Sequence, residues 1–298
     1  MMLDQQLLTP VALFIFNRPD LTIRTFTEIA RARPRMLLLV ADGPRPNIPG
    51  EAEQCAAARA VVGQVDWPCQ LLTNFSDVNL GCKERVASGL DWVFETVTEA
   101  IILEDDCVPH PTYFRFSEEL LRRYRDDERI MHIAGSNYQF GQRRTLDSYY
   151  FSRYTIVGGW ASWRRSWQHF DLEMKLWPWV RDNHLLKGVL HDDRVVEDWE
   201  NRFQAVYTNQ LGSIWDLQWW FACWIQNGLA IHPNVNLISN IGFDARATHI
   251  KDEDHPFANM PVEAMHFPLT HPLVVTTNAA ADSFIQATAF TRRAQRKG

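Results

Sequence analysis

The sequence predicts an α/β fold in which a mostly parallel central sheet is flanked by helices. Short apolar runs alternate with segments of helical spacing along the N-terminal half, as in consecutive βαβ units. Hydrophobic residues make up 46% of the 298 residues, which is enough for a sizeable core. Polar side chains follow the ends of the apolar runs, where open α/β sheets bind their ligands. We therefore expect a ligand site along one edge of the sheet.

Periodicity and turn residues assign the elements of the N-terminal half. Short apolar runs predict strands at residues 11–16, 36–41, 71–74 and 101–103, and the strand at 101–103 is predicted to be buried on both faces. Apolar residues spaced three and four apart predict helices between them, at residues 21–32, 51–62 and 82–97. Asp20 is predicted to cap the first helix, because an acidic residue directly precedes its first apolar position.

The C-terminal half is less regular and carries most of the twelve tryptophans, between Trp160 and Trp224. Its helical patterns lie at residues 111–124, 163–170, 194–209 and 215–226, and its predicted strands at 130–134, 149–152 and 229–231. A segment rich in proline and histidine, residues 249–272, is predicted to be an ordered loop or arm. We predict a single domain over residues 1–290, with a shift in composition near residue 140, followed by a basic tail at 291–298.

Composition and motifs exclude several classes of protein. A net charge of −6 argues against nonspecific nucleic-acid binding, which needs a basic surface. Five scattered cysteines without a CxxC pair indicate a reduced, cytoplasmic protein, and peripheral association with the inner membrane is left open. No apolar run is long enough to span a membrane, and the N-terminus does not resemble a signal peptide. The dinucleotide and P-loop fingerprints are both absent.

Three consecutive acids mark the candidate site. In the stretch AIILEDDCVPHP, residues 100–111, the apolar run ends directly at Glu104, Asp105 and Asp106. Two carboxylates about 4 Å apart repel by roughly 4 kcal/mol at an effective dielectric near 20. A divalent cation with oxygen ligands, Mn²⁺ or Mg²⁺, would offset that repulsion. The alternative interpretation is a solvated acidic turn ahead of the next helix.

Six ordered motifs carry a family resemblance: FNRP, ADGP, NLGCKER, ILEDDCVP, GGWASW and WDLQWW. The chain resembles the GT-A glycosyltransferases, which use nucleotide-diphosphate sugars. Within them it is similar to the Glu-Asp-Asp branch typified by N-acetylglucosaminyltransferase I, and to bacterial hemolytic-protein-like glycosyltransferases. The resemblance implies a Rossmann-like GT-A fold. Residues 10–140 would form the nucleotide-sugar-binding half and residues 141–290 the acceptor and catalytic half.

The resemblance also implies roles for single residues. Asp106 would ligate the metal, with His249 as a second ligand. Asp216, in WDLQWW, would be the catalytic base, although the spacing of its flanking tryptophans departs from the family pattern. The residues implied to contact the nucleotide sugar are Arg18, Asp42, Arg85, Glu104, Asp105 and Thr248.

Trp160 and Trp163 lie beside paired glycines and are predicted either to stack on an acceptor sugar or to pack in the core. Other site residues also have structural interpretations. Asp216 can cap its helix, Asp42 can form a turn before Gly43, and Arg85 can lie on a solvated helix face. Arg18 can be a surface residue, and His249 an ordinary loop histidine.

The predicted function is metal-dependent, inverting transfer of a sugar from a nucleotide-diphosphate donor, with UDP-sugars favoured, to a glycan or lipid-linked glycan. One alternative is a nucleotidyltransferase that makes the activated sugar, but FNRPDLTIR lacks the glycine-rich loop that such an enzyme needs after its first strand. The other alternative is a non-catalytic carbohydrate-binding protein in which the tryptophans bind the sugar.

Overall fold

A computed structural model describes residues 6–247 and 251–291 of the chain. Within them lie ten strands: β1 (Val11–Ile15), β2 (Met36–Ala41), β3 (Gln70–Phe75), β4 (Glu99–Glu104), β5 (Cys107–Pro109), β6 (Ile130–Ala134), β7 (Tyr149–Ser152), β8 (Trp160–Trp163), β9 (Leu229–Pro233) and β10 (Ile238–Asn240). The α-helices are α1 (Pro19–Ala32), α2 (Glu51–Val61), α3 (Gly81–Thr96), α4 (Thr112–Arg123), α5 (Arg164–Trp167), α6 (Trp177–Asp182), α7 (Asp193–Tyr207), α8 (Asp216–Ile225) and α9 (Ala279–Ile285). Short 3₁₀ helices occupy Val62–Gln64 and Leu185–Gly188, and a π-helix occupies Gln286–Thr291.

Eight strands form one mixed sheet in the order β3-β2-β1-β4-β8-β6-β9-β7. The first four are mutually parallel, and β9 is parallel to β6. Strand β8 is antiparallel to both of its neighbours, and β7 is antiparallel to β9. Strands β5 and β10 form a separate two-stranded antiparallel sheet. The predicted α/β fold with a mostly parallel sheet flanked by helices is thereby confirmed.

Strands β1, β2 and β4 are buried on both faces, as their continuous apolar sequences require. Strand β3 lies at the edge of the sheet, and none of its residues is buried. On one face Leu13 packs with Phe26 and Ile29 of α1 in a core that extends to α2 and α4. On the other face Phe14 packs with Leu90 of α3 in a core that extends to α8. Each side chain of this size contributes roughly 1.5–3 kcal/mol when fully buried. The sheet is therefore held from both sides, which fixes the position of its carboxyl edge.

A third core lies among α6, α7 and α8 and is built mainly from aromatic rings. Trp199 stacks on Trp220 with ring centroids 5.1 Å apart, and its edge meets Trp224 at 4.7 Å. Offset and edge-to-face pairs of this kind are the favoured aromatic arrangements. Much of the tryptophan enrichment therefore serves packing.

Several boundaries differ from the sequence prediction. Helix α1 begins at Pro19, because proline's fixed φ suits a first helical position, and Asp20 lies inside the first turn where it does not cap the helix. Strand β8 was not predicted, since its four residues fall where the pattern indicated the approach to a helix. The helix predicted at 163–170 ends at Trp167. Strands β5 and β10 and helices α6 and α9 were also not predicted.

Over the described residues, no helix is both long and apolar enough to cross a membrane.

Candidate functional site

The candidate site follows from the register of the parallel strands. In β1, Ile15 pairs with Ala41 of β2, and Phe14 pairs with Glu104 of β4. The carboxyl ends of these three strands therefore coincide at one edge of the sheet. Glu104 is the last residue of β4, and Arg18, Asp42, Asp105 and Asp106 lie within three residues of these ends. All five residues are therefore brought to that edge, as predicted from their positions.

Arg18 bridges two of the three acids. One guanidinium nitrogen, Nη2, lies 2.7 Å from Oδ1 of Asp105 and 2.9 Å from Oδ2 of Asp106. The side chains are shielded, with exposures of 15% for Arg18, 6% for Asp105 and 14% for Asp106. The other terminal nitrogen, Nη1, donates a longer bond of 3.4 Å to the carbonyl of Gly242. One arginine of the same chain thus offsets part of the negative charge of the two acids.

The backbone of the acid pair is held from two directions. Thr25, on the buried face of α1, donates its hydroxyl to the carbonyl of Asp105 at 2.9 Å. The backbone N–H of Ile241 donates to the carbonyl of Asp106, also at 2.9 Å. The pairing of β5 with β10 places Asn240 opposite Cys107, and this brings the segment that contains Ile241 against the acids. The site is consequently built from chain segments far apart in sequence.

Gly242 leaves the room that the Asp106 side chain occupies. A β-carbon at position 242 would lie 2.0 Å from Oδ2 and 2.8 Å from Cβ of Asp106. Both distances are far below van der Waals contact, so a larger residue forces one of the two segments to move. Glycine at 242 is therefore a requirement of the acid-pair geometry.

Burial and like charge act on the acids. Burial, followed by the charges of Asp106 and Asp105, raises the pKa of Glu104, and the Arg18 charge opposes that rise. Burial likewise raises the pKa of Asp105, again against the effect of Arg18. Desolvation favours a neutral carboxyl group, and a neighbouring anion does the same. The cluster therefore has a strong requirement for positive charge.

Asp216 belongs to the same cluster. It is the first residue of α8 and is half-buried, and its negative charge is among the causes that raise the pKa of Glu104. The loop before α8 is anchored to α3, because the Ser213 hydroxyl accepts the backbone N–H of Lys83 at 3.1 Å. Asp216 therefore lies close enough to the acids to affect the pKa of Glu104, and its role as a catalytic base stays a prediction.

The carboxylate of Asp42 accepts hydrogen bonds from the loop that follows β3. Its Oδ1 accepts the backbone N–H groups of Gly43 and Leu80, both at 2.9 Å. Its Oδ2 accepts from the side chain of Asn79 and the backbone N–H of Gly81, both at 3.0 Å. With four donors on a buried carboxylate, this geometry favours the turn-forming interpretation. Contact with a nucleotide base stays a prediction.

Arg85 is buried on α3 and donates to the carbonyl and the side-chain oxygen of Asn74, at 2.6 and 2.8 Å. The interpretation that placed it on a solvated helix face is therefore wrong. Burial lowers the pKa of Arg85, and the nearby charge of Asp42 raises it. The arginine holds the end of β3 beside Asp42, and nucleotide contact by Arg85 stays a prediction.

The predicted stacking of Trp160 and Trp163 on an acceptor sugar needs correction. The two side chains are only 1% and 2% exposed. Trp160 is stacked on His132 at 5.0 Å and packs among the rings of the core under α8. Trp163 donates its indole N–H to the carbonyl of Leu121 on α4. Both tryptophans are core residues, because β8 runs through the centre of the sheet.

A row of aromatic rings that the sequence analysis missed lies beside the acids. We call it the aromatic strip; it consists of Phe243, His255, Phe257, Tyr138 and Phe140. Phe243 stacks on His255 at 5.1 Å, and Phe257 stacks on Tyr138 at 4.1 Å and on Phe140 at 5.6 Å. Burial is the main cause of the raised pKa of Tyr138, and the charge of Asp216 adds to it, which places Tyr138 near the cluster. These residues come from three separate segments of the chain, so no local sequence pattern predicts the aromatic strip.

No three side chains of His, Cys, Asp or Glu converge as a ready metal cage in the described ranges 6–247 and 251–291. The predicted ligand His249 and the predicted nucleotide contact Thr248 lie outside those ranges. A Mg²⁺-type ion that is shared with a diphosphate needs only one or two protein carboxylates, since phosphate oxygens and water complete its shell. Asp105 and Asp106 meet that smaller requirement.

Comparison with known families gave no matching family model, and no curated protein matched the chain.

Proposed function

We propose that the protein is a metal-dependent glycosyltransferase of the GT-A type, which moves a sugar from a nucleoside diphosphate to a glycan acceptor. The observation that carries the proposal is the convergence of Arg18, Asp105 and Asp106 at the carboxyl ends of β1 and β4. Ligands of open α/β sheets lie at this edge. The parallel order β3-β2-β1-β4 supports a nucleotide-binding half of Rossmann type.

The acids have the chemistry that a divalent ion requires. Oδ2 of Asp105 is buried and has no hydrogen-bond partner, which is a costly state for a carboxylate oxygen. Asp105 and Asp106 would hold Mn²⁺ or Mg²⁺, both of which prefer oxygen ligands. When bound, the ion would neutralise charge that develops on the departing diphosphate.

Asp216 is the proposed general base. Its carboxylate would take the proton of the acceptor hydroxyl as that oxygen bonds to the anomeric carbon. The bond between the anomeric carbon and the diphosphate oxygen breaks with its electron pair going to the diphosphate. Because the acceptor oxygen would attack from the face opposite the diphosphate in a single displacement, the configuration would invert. The aromatic strip is the proposed platform for the acceptor, since flat rings suit the CH-rich faces of sugars. Glu104 would lie next to the transferred sugar.

The nucleotidyltransferase alternative receives less support from the first strand. Helix α1 starts at Pro19, only four residues after β1 ends, and the intervening residues contain no glycine. A glycine-rich phosphate loop therefore has no place after β1. A purely carbohydrate-binding role leaves the acid cluster without a purpose.

A thermal-shift screen tests the proposed function. Unfolding temperatures are measured with UDP, GDP, ADP and CMP, each with and without Mn²⁺. We expect one nucleoside diphosphate to raise the unfolding temperature by several degrees only when Mn²⁺ is present, because ligands of the native state stabilise it by mass action. If none of the nucleotides gives a metal-dependent shift, the glycosyltransferase proposal is wrong.

Replacing Asp216 with asparagine should separate binding from turnover. The donor stays bound, because its proposed contacts lie on β1 and β4, but the acceptor proton has no base, and the rate falls by about 10²–10⁴-fold. Release of the nucleoside diphosphate and donor binding are the two measurements. The matched control is Asp193→Asn, which also replaces the first residue of a helix but on the exposed start of α7. Equal losses in both variants would assign to Asp216 only a structural role in the first turn of its helix.

A further inference from the structure

The nitrogen Nη2 of Arg18 occupies the place where the two acid side chains meet. It is the shared partner of Oδ1 of Asp105 and Oδ2 of Asp106, at 2.7 and 2.9 Å. The remaining contacts of Asp106 Oδ1 are weaker, with Asn240 Nδ2 at 3.5 Å and Cys107 Sγ at 3.4 Å. In this structure the positive charge beside Asp105 and Asp106 is that of the Arg18 guanidinium.

A metal ion and this guanidinium would bind the same two carboxylates. A divalent ion held by Asp105 and Asp106 would sit next to a shielded positive charge. The repulsion between like charges is large at such separations and is weakly screened away from bulk water. Binding of the ion therefore requires Arg18 to leave the carboxylates, and the ion must offset the loss of two charge-assisted hydrogen bonds.

A displaced Arg18 guanidinium could pair with the diphosphate of the proposed donor. Its backbone is anchored, because its carbonyl accepts the N–H groups of Leu21 and Thr22 at the start of α1. The guanidinium can consequently move only within the reach of its own side chain, along the carboxyl edge of β1 and β4. In the proposed function, on which this inference rests, the diphosphate lies at that edge, and planar guanidinium groups pair well with phosphate.

We propose that Arg18 is an internal counter-cation that the metal displaces, and that its transfer from the acid pair to the diphosphate couples metal binding to nucleotide binding. Metal alone binds weakly, since Arg18 must be removed without compensation. Metal and diphosphate together bind tightly, since each favours the same position of Arg18. By linkage, the two ligands increase each other's affinity by one common factor.

The decisive experiment measures Mn²⁺ affinity in the absence of nucleotide, by the electron paramagnetic resonance signal of free Mn²⁺. Arg18→Gln is expected to bind Mn²⁺ about tenfold more tightly than the wild-type protein, within the usual range of coupling factors. The same variant is expected to lose most of the increase that UDP gives to Mn²⁺ affinity, after correction for the Mn²⁺–UDP complex in solution. An arginine that merely positions the acids predicts the opposite sign, a weaker Mn²⁺ affinity in Arg18→Gln.

Arg246→Gln is the matched control. Arg246 lies on the same side of the molecule and pairs with Asp20 and Asp244, but it does not contact the acid pair. Its replacement removes the same charge and should leave Mn²⁺ affinity within about twofold, because exposed charges are screened by salt. A tenfold increase in this control as well would overturn the displacement proposal in favour of a general charge effect.

Arg18→Lys covers the case in which Arg18→Gln does not fold. Lysine keeps the positive charge near the acids but lacks the planar, forked set of donors of a guanidinium. The Mn²⁺ affinity of Arg18→Lys should therefore rise by less than that of Arg18→Gln, and any fall in affinity would overturn the proposal.

The displacement proposal and the proposed function would be overturned by different results. A wild-type protein that binds Mn²⁺ with UDP, combined with weaker Mn²⁺ binding by the Arg18 variants, overturns the displacement alone. A wild-type protein that binds neither Mn²⁺ nor UDP overturns the proposed function and the displacement together.

Discussion

Asp106→Asn is expected to abolish the Mn²⁺-dependent binding of nucleoside diphosphates while the protein remains folded. Asparagine keeps the shape of the side chain but removes the charge and one of the two acceptor oxygens. Mutation of a residue that only orients a metal ligand typically lowers metal affinity by about 10–100-fold. Loss of a ligand itself should therefore lower the metal affinity by at least about 100-fold. Isothermal titration with UDP, in the presence and absence of Mn²⁺, measures the effect.

The control for this variant is Asp127→Asn. Asp127 also pairs with an arginine, Arg129, at 2.7 Å, but on the exposed turn before β6. The control should bind the metal and nucleotide normally. Unchanged Mn²⁺-dependent binding by Asp106→Asn would remove Asp106 from the metal site and leave its contact with Arg18 as a structural one.

Gly242→Ala is expected to cause the same loss of binding without removing any charge. The added methyl group would lie 2.0 Å from Oδ2 of Asp106, so either the carboxylate turns away from Arg18 or the segment after β10 shifts. Overpacking of this kind also costs about 1–3 kcal/mol of stability. The unfolding temperature and the Mn²⁺-dependent thermal shift should therefore both fall.

Gly188→Ala is the comparison for this change. A β-carbon at residue 188 meets nothing within 4 Å, so the same substitution there adds no contact. We expect a neutral or slightly positive effect on stability and full ligand binding. Normal binding by Gly242→Ala would show that the acid pair tolerates movement, and the importance assigned to this close approach would be mistaken.

The inner parallel strands β1, β2 and β4 were predictable because they are buried on both faces and therefore have continuous apolar sequences. Met36–Ala41, an unbroken apolar run, gave a strand with the predicted bounds. Strand β8 was not predictable, since the four residues of WASW are too few to show a period and its paired residues lie 26 to 64 positions away along the chain. The pairing of β5 with β10 escaped prediction for the same reason, as each strand has three residues.

The site was predictable only in its location. Strand ends that follow apolar runs come together in a parallel sheet, so Arg18 and the acids could be placed at one edge. Their mutual contacts could not be derived, because a bridge from one guanidinium to two carboxylates depends on side-chain directions. The sequence left acceptor stacking and core packing open for Trp160, because tryptophan content alone does not distinguish a buried ring from one that lines a cleft.

The pairing of β5 with β10 also determines when, during synthesis of the chain, the ligand site can form. The first four parallel strands are complete once residue 104 has been synthesised. The N–H that bonds to the carbonyl of Asp106 belongs to Ile241, and the glycine that leaves room for its side chain is Gly242, so both are synthesised much later. Contacts between segments so far apart form late, because the intervening chain must first close a long loop. A ribosome-bound fragment that stops short of residue 238 would carry all three acids and still lack the geometry to hold a nucleotide.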